Sequence, residues 1–265
     1  MMQNIKKALK LSKSFLSKQY MKGVLNSEKE FKIKEDPGRI KYLLQSNKKS
    51  DKLLIVFSGF PIKGKPPVYN YVLTFRGLEC NKLFILDDFG DDYRGTYYLG
   101  TNENWFLTNE ITNLISSIKT QLSIKNENIT LTGSSKGGFA ALYYAFKDNY
   151  GSVIAAEPQI RVGDYLSATK HLGVFKNIMG EHSKGKKEKL NEVIFDITKQ
   201  KNLSPSNVII LCGKNNDYYL KNHVSHFISH LDKKSIQYEL ILGDFSDHSQ
   251  VSKHYPKLVY NHYND

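Results

Sequence analysis

Short apolar runs alternate with helically spaced apolar positions along most of this chain. From residue 52 onward the runs are almost wholly apolar, as expected for strands that are buried on both faces. Between them, apolar side chains recur at the spacing of a helix. Strands that alternate with helices predict an α/β protein with a mainly parallel central sheet and helices on both faces. The predicted strands are Lys52–Phe57, Lys82–Leu86, Ile129–Thr132, Ser152–Ala156, Asn207–Leu211 and Tyr238–Leu242, and the predicted helices are 109–122, 139–146, 218–233 and Val251–Tyr260.

Two stretches depart from this alternation. Before residue 52, Phe31–Lys34 and Ile40–Leu44 predict two short strands joined by a turn at Asp36–Gly38. Residues 160–203 are helix-like, rich in lysine and punctuated by glycine, which predicts an insert that acts as a lid or a substrate platform. The predicted organisation is a basic extension at residues 1–29 and one domain at 30–265, with the lid insert at about 160–203.

The first 25 residues interleave lysines with apolar side chains. One hypothesis is a helix that makes peripheral contact with an anionic membrane, such as the inner membrane. The alternatives are a surface helix packed on the domain and a frayed tail. The sequence starts without a secretory signal and has no apolar run long enough to cross a bilayer, so the expected location is cytoplasmic.

Composition is ordinary for a globular protein, but the charge is not. Thirty-eight basic and 26 acidic residues give a net charge of +12, which attracts polyanions. The lysines are spread along the chain without a nucleic-acid-binding motif, so no nucleic acid is expected as a partner. A surface that serves only solubility is the alternative. Cys80 and Cys212 lie next to or within apolar stretches, so a disulfide framework is not expected.

The segment Gly133-Ser134-Ser135-Lys136-Gly137 matches the pattern G-x-S-x-G between a predicted strand and a predicted helix. A serine on so sharp a turn needs small neighbours and lies at a helix N-terminus, where free N–H groups favour developing negative charge. Ser135 is therefore the candidate nucleophile. The alternative is a glycine-rich turn of an α/β protein. A phosphate-binding loop is disfavoured because G-x-x-x-x-G-K-[ST] is absent.

An activated serine needs a base, and the base needs an acid to orient it. Ser135, Asp217 and His248 occur in the order nucleophile, acid, histidine, and each follows a predicted strand. Asn216 is the alternative to Asp217 as the orienting residue. Candidate oxyanion donors are the backbone N–H groups of Lys136 and, after the strand Lys52–Phe57, of Gly59 or Phe60.

Two further groups raise the question of a metal. Asp87–Asp92 is rich in aspartate but lacks the EF-hand spacing, so a solvated loop is predicted. His223, His226 and His230 share a helix but show no H-E-x-x-H arrangement, so a solvent-facing helix is predicted. No metal is expected.

Several motifs together carry a family resemblance. They are Ser58-Gly59-Phe60-Pro61, Tyr69-Asn70-Tyr71, Arg94-Gly95-Thr96-Tyr97-Tyr98, Gly133-Ser134-Ser135-Lys136-Gly137-Gly138, Pro158-Gln159, Asp164-Tyr165, Cys212-Gly213-Lys214 and His248. In this order the chain resembles capsular polysaccharide O-acetyltransferases of the meningococcal serogroup A type, over roughly residues 50–256. The resemblance implies an α/β-hydrolase-like three-layer sandwich. By the same correspondence His248 is the base, and the acid position falls on Asn216 rather than Asp217.

The function implied by the resemblance is acetyl transfer from acetyl-CoA to a hydroxyl of a capsular polysaccharide, through an acetyl-serine on Ser135. An anionic polysaccharide would suit the +12 charge. Candidate substrate contacts are Arg94 and, in the insert, Lys184, Lys186 and Lys187. An esterase or deacetylase with the same triad is one alternative. A non-catalytic partner of the capsule-assembly machinery is the other.

Overall fold

The computed structural model describes residues 16–34, 38–199 and 204–264. Within these ranges eight strands form one sheet in the order β1-β2-β4-β3-β5-β6-β7-β8. The first two strands pair antiparallel, β2 pairs antiparallel with β4, and the other neighbours are parallel. The strands are β1 (Lys29–Lys32), β2 (Arg39–Gln45), β3 (Leu53–Phe57), β4 (Asn81–Ile85), β5 (Ile129–Ser134), β6 (Ser152–Ala156), β7 (Asn207–Gly213) and β8 (Glu239–Gly243).

Helices cover both faces of the sheet because successive strand side chains point to opposite faces. On β3, for example, Leu53, Ile55 and Phe57 join one core cluster, whereas Leu54 and Val56 join the other. The predicted three-layer α/β-hydrolase-like architecture is confirmed. In the described ranges from residue 38 onward, the α-helices of five or more residues are α1 (Phe106–Leu122), α2 (Lys136–Asp148), α3 (Val162–Leu166), α4 (Leu172–Met179), α5 (Lys184–Lys199), α6 (Ser225–Lys233) and α7 (Val251–Asn264).

Residues 16–25 are helical and pack on the face covered by α7. Tyr20, Met21 and Val24 are partly buried there, and the Tyr20 hydroxyl accepts a 3.2 Å hydrogen bond from Gln45. This part of the basic extension therefore packs on the domain. The predicted turn at Asp36–Gly38 and residues 1–15 fall largely or wholly outside the described residues. No helix in the described ranges is long and apolar enough to span a membrane.

The segment 160–199 forms α3, α4 and α5, with α5 packed against α3 and α2. Leu190, Ile194 and Phe195 of α5 are buried in the same core cluster as α2. The helical character of the predicted insert is therefore present, and one of its helices contributes to the main core. Its role as a lid stays a prediction.

The three histidines near α6 have three different environments. His226 is exposed, and the His230 ring nitrogen Nε2 lies 2.7 Å from the Thr198 hydroxyl. His223 is 1% exposed, and its Nδ1 accepts a 3.2 Å hydrogen bond from the Arg161 N–H. The prediction of a solvent-facing helix is therefore wrong for His223. Burial lowers the pKa of His223 to about 4, opposed by the nearby Asp164 carboxylate.

His223 makes stability depend on pH in a defined direction. Its ordinary pKa is 6.5 and its folded pKa is about 4, so the unfolded chain binds a proton first. We expect the free energy of unfolding contributed by this group to be constant above pH 6.5 and to fall toward pH 4, by at most about 3 kcal/mol. His223→Gln should flatten this slope in urea unfolding between pH 7.5 and 5.5. The exposed control His226→Gln should keep the wild-type slope, and an unchanged slope in His223→Gln would contradict the assignment.

Candidate active site

A cavity of about 360 Å³ opens at the carboxyl ends of the parallel strands. Both Ser135, after β5, and His248, after β8, lie in its wall. The two residues singled out by motif and chain order are therefore brought to one site. The complete lining is Gly59, Phe60, Pro61, Ile62, Lys65, Pro66, Val68, Asn70, Ser134, Ser135 and His248.

Ser135 forms the turn between β5 and α2 with strained backbone angles, φ 58° and ψ −120°. Such angles cost a non-glycine residue about 1–3 kcal/mol and persist only where surrounding contacts enforce them. Here the Ser135 N–H donates to the Ala156 carbonyl at 3.0 Å, and its carbonyl accepts from Phe139 at 3.1 Å. The residue is 7% exposed. The predicted sharp turn between strand and helix is therefore present.

Close approach of backbone explains two glycines of this turn. A Cβ on Gly133 would lie 2.4 Å from the Gly137 carbonyl group, and a Cβ on Gly137 would lie 2.3 Å from the Phe57 carbonyl oxygen. Real Cβ atoms do not tolerate such distances. Strand β5, helix α2 and strand β3 therefore approach so closely that only glycine can occupy both positions.

The imidazole of His248 is held by a buried carboxylate. Its Nδ1 lies 2.6 Å from Oε2 of Glu157, whose side chain is fully buried. The other oxygen of Glu157 accepts from the Gly213 N–H at 3.1 Å and from the Asn216 amide at 2.8 Å. The Tyr219 ring stacks on the imidazole, with centroids 4.3 Å apart and planes 4° from parallel. The Glu157 carboxylate, at the Nδ1 edge, and the Tyr219 ring, on the face of the imidazole, thus orient His248.

This contact corrects the predicted acid. Asp217 pairs instead with Lys221 at 2.8 Å, and both side chains are 70% exposed. Among the described residues, Asn216 forms no hydrogen bond with His248. Its side-chain amide donates to Glu157 instead. The missed residue, Glu157, directly follows β6, whose carboxyl end is next to that of β5. A carboxylate immediately after a buried strand was the available signal.

Two of the predicted oxyanion donors, the N–H groups of Gly59 and Phe60, lie in the loop after β3. The Gly59 N–H donates to the Asn70 side chain at 2.6 Å, so it is not available to a substrate oxygen. This corrects the prediction for Gly59 and leaves the backbone N–H groups of Phe60 and Lys136. The Arg94 guanidinium lies 4.3 Å from the centroid of the Phe60 ring, and the centroid of the His171 ring lies 5.2 Å from it.

Arg94 is therefore a packing partner of Phe60 and does not line the cavity. It is 3% exposed and donates to the Lys170 carbonyl at 3.2 Å and to Nδ1 of His171 at 3.0 Å. Because a guanidinium only donates, His171 accepts at Nδ1. Burial, with the adjacent Arg94 charge, lowers the pKa of His171 to about 4. His171 is therefore neutral at physiological pH, and only Arg94 of the two side chains carries a charge.

Lys136 forms a fully buried ion pair with Asp87. Its Nζ donates to the Asp87 carboxylate at 3.0 Å, to the Asp87 carbonyl at 3.3 Å and to the Arg94 carbonyl at 3.2 Å. The same carboxylate accepts from the backbone N–H groups of Thr96 and Tyr98 at 3.0 and 3.1 Å. Burial lowers the pKa of Lys136, opposed by Asp87. The prediction of a solvated loop is thus wrong for Asp87.

The buried pair is connected to the loop after β3. The Tyr98 hydroxyl accepts a 2.6 Å hydrogen bond from the Ser58 N–H and lies 2.7 Å from the Ser58 hydroxyl. Because Asp87 holds the Tyr98 N–H, one network joins Lys136 to the segment that begins at Ser58. The segment Arg94–Tyr98 therefore bridges the two backbone positions that are candidates for an oxyanion hole.

The lysines predicted as substrate contacts lie in α5 and do not line the cavity. Lys186 pairs with Glu103 at 2.9 Å, and Lys187 pairs with Asp164 at 3.3 Å. Lys184 is exposed. Within the described residues, no group of three or more His, Cys, Asp or Glu side chains could hold a metal ion.

With this geometry, comparison with known proteins gives the family. The model of the accessory Sec system GspB-transporter family matches residues 46–263. The chain belongs to that family. An accessory Sec system protein of Staphylococcus aureus (strain NCTC 8325 / PS 47) is 25% identical over an alignment of 173 residues, and the match covers 58% of this chain and 33% of that protein. This accessory Sec family chain thus spans about a third of the length of its curated relative.

Solved structures extend the comparison. The capsule O-acetyltransferase of Neisseria meningitidis serogroup A is 27% identical, with a TM-score of 0.73 over 89% of this chain and 94% of that one. The predicted resemblance is therefore confirmed. A mutant of that enzyme, solved in complex with CoA, is 26% identical to this chain, with a TM-score of 0.74 and the same coverage of both chains. The Gap123 complex from Streptococcus agalactiae, at 17% identity and TM-score 0.74, covers 90% of this chain and 47% of its own, and shares the fold.

Substitution of Gly95 tests how much the buried Lys136–Asp87 ion pair matters to the stability of this accessory Sec family chain. Gly95 has φ +88°, and a Cβ there would lie 2.3 Å from Lys136 Nζ and 2.4 Å from the Asp87 carboxylate. Gly95→Ala should lower the free energy of unfolding by about 3 kcal/mol or more, because backbone strain adds to disruption of a buried pair. Gly64→Ala is the control, since Gly64 has φ +77° and no neighbour within 4 Å. It should cost only the strain, about 1–2 kcal/mol. Equal losses in urea unfolding would contradict the account.

Proposed function

We propose that this chain is an O-acetyltransferase that moves an acetyl group from acetyl-CoA to a hydroxyl of a polysaccharide, through an acetyl-serine on Ser135. The observation that carries the proposal is the 2.6 Å contact between Glu157 and His248 in the cavity that also contains the strained Ser135. A nucleophile, a base and a buried orienting carboxylate are the parts that serine acyl transfer requires.

In the first half-reaction, His248 Nδ1–H donates to Glu157, which leaves Nε2 free to take the proton of Ser135. The serine oxygen attacks the thioester carbonyl carbon, and the carbonyl oxygen becomes an oxyanion. The N–H groups of Phe60 and Lys136 are proposed to hold that oxyanion, each worth about 2.7–4 kcal/mol of barrier. The carbon–sulfur bond then breaks, and the CoA thiolate leaves with the proton that His248 carries.

In the second half-reaction, His248 removes the proton from an acceptor hydroxyl. The alkoxide oxygen attacks the acetyl-serine carbonyl, and the bond to Ser135 breaks as the serine oxygen regains a proton from His248. Transfer instead of hydrolysis requires that sugar reaches the site in preference to water. The same residues thus serve both steps, with Glu157 stabilising the imidazolium each time.

The partners are inferred from similarity and charge. A CoA complex of a 26% identical enzyme supports acetyl-CoA as the donor. The capsule named for that enzyme and the net charge of +12 support an anionic polysaccharide as the acceptor. We also propose residues 30–265 as the catalytic domain, with the cytoplasm as its location.

A second candidate function comes from the family. Its description as an accessory Sec system transporter component favours a role in a protein assembly, without catalysis. That role gives no reason for a strained serine in the same cavity as a carboxylate-bound histidine.

A third candidate is an esterase. With the same residues it would transfer the acetyl group to water and release acetate.

Intact mass tests the proposed acetyl-serine. After mixing with acetyl-CoA, the wild-type protein should gain one acetyl group, and Ser135→Ala should gain none because the nucleophilic oxygen is missing. A wild-type protein that takes up no acetyl group, or a Ser135→Ala variant that still does, would contradict the proposal. Release of acetate from an acetylated glycan without acetyl-CoA would support the esterase instead.

The orienting role of Glu157 has its own test. Glu157→Gln removes the charge that stabilises the imidazolium, so we expect the rate of Ser135 acylation to fall about 10³–10⁴-fold. Asp217→Asn is the matched control. Its carboxylate forms only an exposed ion pair with Lys221, so the rate should stay within about twofold. A large loss in Asp217→Asn with a small loss in Glu157→Gln would return the acid role to Asp217.

A further inference from the structure

The cavity has one wall that the chemistry above does not use. Besides Ser135 and His248, the lining includes Pro61, Ile62, Pro66 and Val68 of the loop after β3. Ile62 is 75% exposed and Val68 is 58% exposed. Large apolar side chains clustered at the rim of a reactive site indicate a surface that a ligand covers.

The same loop carries positive charge without compensation. Lys65 lines the cavity, and Lys63 lies two residues before it; both are exposed. In the described ranges neither lysine forms an ion pair, and no carboxylate lines this cavity. Lys186 and Lys187, by contrast, are paired with acidic residues. Among the described residues, the positive charge at this cavity therefore comes from the loop after β3, through Lys65, and not from α5.

An apolar rim beside two cations requires a ligand with both properties. A polysaccharide would satisfy the lysines through its anionic groups but would leave Ile62 and Val68 without an apolar partner. An acyl thioester of CoA has a long pantetheine arm between its reactive carbonyl and its phosphates. The arm can cover apolar side chains while the phosphates form charge-assisted hydrogen bonds with lysines.

We propose that residues 60–68 are the binding surface for the acyl donor. Ile62 and Val68 contact the pantetheine arm, and Lys63 and Lys65 bind the phosphates of CoA. The thioester carbonyl then reaches Ser135 past Phe60. This inference rests on the proposed function and adds to it the residues that select the donor.

The test compares two acetyl donors in the first half-reaction. The amount of acetyl-enzyme formed is measured by intact mass. Acetyl-CoA carries phosphates, and S-acetylpantetheine does not. Lys63→Glu/Lys65→Glu should raise KM for acetyl-CoA about tenfold or more and leave KM for S-acetylpantetheine within about twofold. The control Lys48→Glu/Lys49→Glu makes the same charge change between β2 and β3, at the amino end of β3. It should alter neither KM.

A second variant tests the apolar part. Ile62→Ser/Val68→Ser should raise KM for both donors to a similar extent, because both contain the pantetheine arm. A lysine variant that changes the two donors equally, or changes neither, would overturn the phosphate assignment. Serine variants with unchanged KM would overturn the pantetheine assignment. Normal acetylation of the lysine variant with impaired transfer to an anionic glycan would assign the lysines to the acceptor and overturn the proposal.

Failure of the proposed function is separable from failure of this inference. Calorimetric titration of CoA into Ser135→Ala measures donor binding without any turnover. Weakened binding on adding Lys63→Glu/Lys65→Glu would support the surface even if no acetyl-enzyme forms in the wild-type protein. Unchanged CoA affinity would overturn the surface even if acetyl transfer from Ser135 is established.

Discussion

The buried ion pair between Lys136 and Asp87 connects the parts of the candidate site. Three hydrogen bonds from the Lys136 ammonium and three donors on the Asp87 carboxylate hold the end of β4, the segment Arg94–Tyr98 and the start of α2 together. A buried pair adds little net stability, because desolvation offsets the attraction. Its main consequence is geometric: the residue that follows Ser135 is fixed by its side chain as well as by its helix.

Parallel topology places the reacting groups, and the neighbouring strands determine which groups meet. Ser135, Glu157 and Asn216 follow the adjacent strands β5, β6 and β7, and His248 follows β8 at the end of the row. Glu157 lies between the serine strand and the Asn216 strand, so its carboxylate reaches both the imidazole and the Asn216 amide. The site is thus assembled across four consecutive strands from residues far apart in sequence.

The sequence was sufficient for features with a local pattern. Buried strands, the turn at Ser135 and the late histidine each leave a signature within a few residues. Chain order predicts the acid after β7, so it does not indicate Glu157, although that carboxylate directly follows β6. The prediction of a solvated charge fails for Asp87 because its partner, Lys136, is 49 residues away in the sequence. Arg94, although part of a recognised motif, packs against the Phe60 ring, and no local pattern could indicate that contact.

The central claim is that Glu157 holds His248 in the tautomer that can serve Ser135. Nuclear magnetic resonance of the histidine ring protons tests it directly. A protected proton on Nδ1 of His248 should give a strongly downfield resonance in the wild-type protein, which should disappear in Glu157→Gln and persist in Asp217→Asn. The same resonance retained in Glu157→Gln, or lost only in Asp217→Asn, would contradict the account.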